Sequence, residues 1–435
     1  MKLSLLSIFG IVFLILFSCH NNSTDSMPLI KTDQLRLQAF LDQKDFFRLR
    51  DQLNISRNLI DNKQRLYFQS YADNAFNRNE ESIKNIDSFF STYSLEVPDS
   101  IKASLYILES DCYFKLFQYA KALQSSRNAL KLYRDTLDKE KIADIKNGQL
   151  KLEALQSTAP QWTSIPDSTV IHWKKDKLGL IEIPVKCHGR SYDCIFDTKA
   201  NISSITQTYA ARLGLKILPV SYDEGSGITG IKFKTGLGIA DSLYLGNILI
   251  RNAVFQVMPD SILYIGPIHF SLNIIIGFPV IEQLREIDIF QNGKMVIPLN
   301  PSNGEMHNLA LDGLDPVIFL RTDTDTLCFH LDLGADNTVL YSNYFERYKP
   351  TVRKLGHTKT AQFGGAGGIQ TKQVYALPSF NLYLGNYKTT IDSVDVFTLP
   401  IFPSEKYYGN IGRDFTNKFN EFILNFKYMS VEGRP

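Results

Sequence analysis

The C-terminal part of this chain carries the same pattern twice. Cys194–Ala200 reads CIFDTKA and Phe329–Ala335 reads FHLDLGA, each bringing an Asp to the end of an apolar run. Leu243–Asn247 and Leu382–Asn386 both read LYLGN. Asn273–Gly277 (NIIIG) then meets a counterpart in Gly409–Gly412 (GNIG), the two agreeing in their last two residues. From Asp197 to Gly277 is 80 positions, and from Asp332 to Gly412 is again 80. Three matches in one order, the outer two at one spacing, identify a duplicated unit, which must fold as two similar bodies. Short Ile/Val/Phe/Tyr runs broken by Gly, Asp and Asn turns make those bodies mainly β. We expect them over 169–300 and 301–435, ending in strands at Glu286–Ile297 and Glu421–Val431. Ile181–Cys187 and Tyr192–Phe196 flank His188-Gly189-Arg190, a hairpin on which Cys187 and Cys194 either form a disulfide or stay as thiols.

The region before the repeat is built differently. From about 35 to 155 it is rich in Leu, Lys, Glu and Gln, and apolar residues recur three and four apart in Arg57–Phe76, Glu81–Tyr93, Ile101–Leu116 and Tyr119–Leu132. That spacing predicts amphipathic helices. Tyr119–Leu123 (YAKAL), six residues after Tyr113, resembles the second half of a tetratricopeptide (TPR) hairpin, with a weaker copy at Ala75-Phe76 and Glu81–Ile83. The reading is a TPR-like helical domain that recruits a protein partner or simply packs on the rest. A linker is expected over 156–168, around Pro160 and Pro166.

The N-terminal 19 residues read MKLSLLSIFGIVFLILFSC, a single Lys followed by an apolar run. This is the form of a signal peptide, with a membrane anchor as the competing reading. Leu16–Cys19 resembles the lipobox of bacterial lipoproteins. That resemblance implies removal of 1–18, lipidation of Cys19, a tether over 19–34, and a protein held to a membrane in the bacterial envelope, outside the cytoplasm. Lys and Arg number 47 against 45 Asp and Glu, so no nucleic-acid partner is expected. The seven His show no metal-ligand spacing, and five Cys in 435 residues are no disulfide scaffold.

An apolar strand ending in Asp-Thr/Ser-Gly-Ala, a Gly-bearing hairpin, then two apolar residues and Gly resembles the aspartic peptidases. The doubling is similar to the bilobal pepsin-type layout with lobes of retropepsin size, and Ile411–Phe415 (IGRDF) resembles the second retropepsin-like signature. The implied architecture is an all-α TPR-like N-terminal domain followed by an all-β, acid-protease-like bilobal domain. The resemblance implies a catalytic pair, Asp197 and Asp332, sharing one proton and activating a water to cleave an extended peptide or protein substrate without metal or cofactor. Thr198, Lys199, Leu333 and Gly334 surround the pair. Lys199 stands where the family has Gly, and Leu333 where it has Thr or Ser. Gly225-Ser226-Gly227 and Gly364, Gly365, Gly367 and Gly368 mark flap tips. Arg413 is expected to pair with Asp414 or a neighbour, or to lie on the surface; His330 reads as packed. The competing function is an inactive relative serving as a peptide-binding or assembly module.

Overall fold

The computed structural model describes residues 27–133, 139–225, 232–365, 367–401 and 405–435. Cys19, Ser226 and Gly227 lie outside the described residues, as do the signal peptide and the first half of the tether.

Among the described residues seven helices come first: α1 (Met27–Asp42), α2 (Phe46–Ile55), α3 (Asn62–Ala75), α4 (Asn79–Tyr93), α5 (Asp99–Lys115), α6 (Tyr119–Tyr133) and α7 (Lys139–Leu155). The first six form three hairpins that close alike. At each turn one residue takes the left-handed backbone region: Lys44 at φ +55°, Asn77 at +59° and Phe117 at +56°. The next amide reaches back five positions, Asp45 to the carbonyl of Phe40, Arg78 to Asp73 and Gln118 to Tyr113, each at 2.8 Å. This closure satisfies carbonyls that a helix end would otherwise leave unpaired. The sequence pattern marked the second and third hairpins only.

Each β copy closes on itself. In the first, Ile248–Met258, Ser203–Thr206, Ile274–Ile276, Arg190–Phe196, Ile181–Cys187 and Lys232–Leu245 pair in that order, and the last pairs again with the first. In the second, the ring runs Tyr387–Phe397, Val339–Leu340, Gly409–Ile411, Thr326–Leu331, Asp315–Arg321 and Gly368–Leu384, closing the same way. Both are six-stranded rings, which leaves little unpaired sheet edge. The parallel contacts also correspond, Ile275 beside Ile195 in one and Asn410 beside His330 in the other.

The structure departs from the sequence reading in three places. Trp162–Ser164, inside the expected linker, pairs with Ile248–Met258 as an added strand. Each copy ends in a hairpin and not one strand, Glu286–Phe290 with Lys294–Ile297 and Glu421–Asn425 with Ser430–Arg434. The β region is not all-β, since Ser342–Leu355 is a helix. Of the two states left open for Cys187 and Cys194 the structure has buried thiols, Cys187 pairing with Arg190 and Cys194 with Ile183.

The terminal hairpins join in a five-stranded sheet with Thr169–His172 on its outer side. There Asp288 lies opposite Ile423, its own counterpart in the second copy. An approximate twofold axis therefore passes between them.

The helices pack against both copies. Phe47 stacks on Phe319 with ring centroids 4.9 Å apart, and Lys44 pairs with Asp312 at 2.7 Å. At the other end, the Asn147 amide donates to the Asp223 carbonyl (2.6 Å) and accepts from the Asp223 amide (3.0 Å). Lys151 pairs with Glu224 at 2.6 Å and sits over the Tyr222 ring. Leu123, Leu152 and Leu155 bury against Leu218, Tyr222 and Leu237. The hairpin Lys216–Gly225/Lys232–Leu245 is thus clamped by α7.

Candidate functional site

Both Asp residues leave their strands under the same restraints. The Asp197 amide donates to the Ile276 carbonyl at 3.1 Å, and the Asp332 amide to Ile411 at 3.0 Å. Asp197 Oδ1 accepts from the amides of Lys199 (2.8 Å) and Ala200 (3.2 Å), and Asp332 Oδ1 from that of Gly334 (2.9 Å). The Gly277 amide donates to Ser203 Oγ at 3.0 Å and the Gly412 amide to Thr338 Oγ1 at 3.1 Å. Every residue in the second set lies 135 positions after its partner in the first. Gly277 and Gly412 shape the backbone. A Cβ on Gly277 would strike the Ala200–Ser203 segment, and one on Gly412 the Ala335–Asn337 segment.

The two Asp loops meet between the copies. A Cβ on Gly334 would collide with the whole carboxyl group of Asp197. The Thr198 hydroxyl crosses the interface in both senses, donating to the Leu331 carbonyl and accepting from the Leu333 amide, each at 3.0 Å. Leu333, fully buried, has no hydroxyl to return the bridge. Both carboxyl side chains are half-buried, so some water reaches them.

Crowding sets the proton affinities. Burial first, and then the charge of Asp332, push Asp197 up to about 7, against the Lys199 and Ala200 amides and the Lys199 ammonium. Burial also raises Asp332, opposed first by the Lys199 ammonium, then by the Asn410 side chain and the Gly334 amide. A carboxyl pair of this kind resists double ionisation. Lys199 acts beyond the pair, since its charge also favours the ionised form of Asp315 and disfavours a charged His330. His330 is packed as expected, its ring 4.6 Å from that of Tyr407.

Two residues of this site escaped sequence reading. Asn410 Nδ2 donates to Asp332 Oδ2 at 3.0 Å. Its counterpart in the first copy is Ile275, and a polar residue at an apolar repeat position was the signal. Asp315 opens the strand that pairs with the Asp332 strand, Val317 lying opposite His330. Nothing local to Asp315 announces that placement.

The second glycine-rich tip extends the hairpin His357–Gly365/Gly368–Leu384, in which Gly364 pairs with Ile369 and Gly365 with Gly368. Gly367 (φ +87°) and Gly368 (φ +126°) supply backbone angles that other residues rarely adopt. The Gly367 amide donates to the Ile262 carbonyl of the first copy at 2.8 Å, so the hairpin reaches across the boundary. Gly225 ends the corresponding strand of the first copy.

Arg413 neither pairs with Asp414 nor lies on the surface, two of its expected places. It is 1% exposed, lies over the Trp173 ring at 5.5 Å, and its guanidinium has no hydrogen-bond partner among the described residues. Asp414 instead accepts from the Thr338 amide (2.9 Å) and hydroxyl (2.5 Å). Among the described residues no group of three or more His, Cys, Asp and Glu is placed to hold a metal, and no helix is long and apolar enough to cross a membrane.

Neither a family model nor a curated protein matches the chain. Among solved structures it is similar to a retropepsin-like aspartic protease from Rickettsia conorii. The identity is 16% over 31% of this chain and 90% of that one, with a TM-score of 0.21. That likeness is distant, and the function proposed below is argued from the residues of the site.

Proposed function

We propose that the chain is an aspartic-type endopeptidase, with a bilobal acid-protease-like β region and a TPR-like helical domain. The observation that supports the reading is the meeting of the two Asp loops at the boundary of two like copies, each Oδ1 held by its own loop and the charge of Asp332 raising the proton affinity of Asp197. A monoanionic pair at that place can take a proton from a water as the water oxygen bonds to a peptide carbonyl carbon. It can also give its own proton to the carbonyl oxygen. The resulting gem-diol collapses with cleavage of the C–N bond and protonation of the leaving amine. An extended peptide would lie under the glycine-rich hairpins, bonding to exposed backbone as a strand does.

The test is cleavage of a mixed peptide library from acid to neutral pH by wild type and by Asp332→Ala. Cleavage lost in the variant supports the reading; cleavage unchanged, or absent from wild type at every pH, overturns it. A second reading, a catalytically inactive peptide-binding or assembly module, is favoured by Lys199, whose charge bears on both carboxylates. It predicts peptide binding without turnover. We further propose lipidation of Cys19 and anchoring in the envelope, for which Cys19→Ala should leave an unprocessed precursor.

A further inference from the structure

The two Asp loops are near copies; Asp197 Oδ1 accepts from one more loop amide, that of Ala200, whereas Asp332 gains a side-chain donor on its other oxygen. Asp332 Oδ1 is held by its loop, as Asp197 Oδ1 is, and Asp332 Oδ2 also accepts from Asn410 Nδ2 at 3.0 Å. Asn410 sits on the Gly409–Ile411 strand, parallel to the strand that carries Asp332, and is 6% exposed. The same position on the Ile274–Ile276 strand beside Asp197 is Ile275, which has nothing to donate. A buried amide N–H stabilises a carboxylate over a carboxylic acid at the oxygen it reaches. The asymmetry thus lies in side-chain identity at one register position of a doubled fold.

We propose that Asn410 is a positioning residue that keeps Asp332 ionised, so that the resting pair carries its proton on Asp197. Resting on the endopeptidase reading, this assigns the roles. Asp332 takes a proton from the attacking water, whose oxygen bonds to the carbonyl carbon, and Asp197 passes its proton to the carbonyl oxygen. The other charged and titratable groups facing the pair do not cancel the bias. Lys199, from the first Asp loop, favours the ionised form of both carboxylates; it is the foremost such influence on Asp332 and stands behind the Lys199 amide for Asp197. Asp315, from the adjoining strand, has its proton affinity raised by burial, against the Lys199 ammonium. Burial keeps His330 and Tyr341 uncharged.

The experiment is a carbon-13 NMR titration of Asp carboxyl groups in the full chain, as wild type, Asn410→Ile and Ile275→Asn. Asp197→Asn and Asp332→Asn identify the two signals. In wild type Asp332 should ionise first. Asn410→Ile should move its titration up by about one pH unit, and Ile275→Asn should move that of Asp197 down by a comparable amount. A purely structural role for Asn410 would lower stability and leave the titrations in place. That result, or wild-type Asp197 ionising first, overturns the proposal. Should Asn410→Ile not fold, Ile275→Asn decides alone, and an unmoved Asp197 signal overturns the proposal. Absence of peptide cleavage beside the expected titrations would remove the endopeptidase reading and leave this ionisation order standing.

Discussion

The two β copies share a backbone and part company where they touch. Ring closure recurs in both, and the amide bonds that hold each Asp and the Gly that follows them recur 135 positions on. The side chains at the boundary do not recur. Lys199 answers to Gly334, Thr198 to Leu333, and Ile275 to Asn410. Across the boundary Thr198 meets the Leu333 amide, and Gly334 leaves room for the Asp197 carboxyl group that a Cβ there would strike. Divergence between the copies is then a way of filling a space that two identical side chains would contest.

Gly334→Ala is the strongest way to break that comparison. The added methyl meets the Asp197 carboxyl group, and the expected results are a loss of about 1–3 kcal/mol in stability and about 100-fold in any peptide cleavage. Lys199→Ala, at the equivalent position, already accommodates a Cβ and should melt close to wild type. Equal melting temperatures for the two variants would mean that the loops do not meet as tightly as the structure has them.

Sequence reading reached the duplication because strand ends, turns and an 80-residue spacing are local or periodic signals. It placed Asp197, Asp332, Thr198 and Leu333 together through the family resemblance. It did not reach Asp315, which approaches Asp332 only through strand pairing. Nor did it reach Asn410, although the apolar Ile275 in the matched segment marked it as out of place. The first helical hairpin was missed because its closure at Lys44 is a backbone event with no signature residue. Arg413 was misplaced for a related reason. An Arg is buried only when its surroundings are supplied from elsewhere, here by Trp173 from the first copy.

The sheet between the copies offers the next test. Asp288 faces Ile423, and burial together with Glu286 and Glu421 raises its proton affinity to a pKa of about 7. A carboxyl with a raised folded-state pKa binds its proton more tightly folded than unfolded. Stability is therefore fuller in acid and is lost as pH rises from the unfolded carboxylate range through about 7. Because Asp288 is only half-buried, solvent screening reduces the effect. Asp288→Asn should leave the melting temperature near pH 4 unchanged and add about 1–2 kcal/mol of stability at pH 8. A gain of equal size at both pH values would show that charge is not the cause.

Lys199 tests the comparison by charge. Its ammonium favours the ionised form of both site carboxylates, so its removal should raise both proton affinities. In Lys199→Met the whole pH–rate profile for peptide cleavage should move up by about one unit, costing activity on the acid side and gaining it on the alkaline side. An unmoved profile would mean that the charge is neutralised elsewhere. A large rise in turnover at every pH would instead identify Lys199 as an obstruction, with the inactive-module reading describing the wild-type chain.

The smallest effect expected separates the two long hairpins. The first is tied to α7 through Asn147, Lys151 and the leucines packed on Tyr222, whereas the second reaches Ile262 at its tip through the Gly367 amide. Lys151→Ala removes a partly exposed ion pair and a cation stacked on Tyr222, worth together on the order of 1 kcal/mol or less. Global stability should barely change, but amide hydrogen exchange at Tyr222–Glu224 should quicken several-fold while exchange in Thr371–Val374 stays as it was. Faster exchange in both hairpins would show that they open together. In that case the clamp on the first would govern the second as well, and the helices would control access to the Asp pair from both sides.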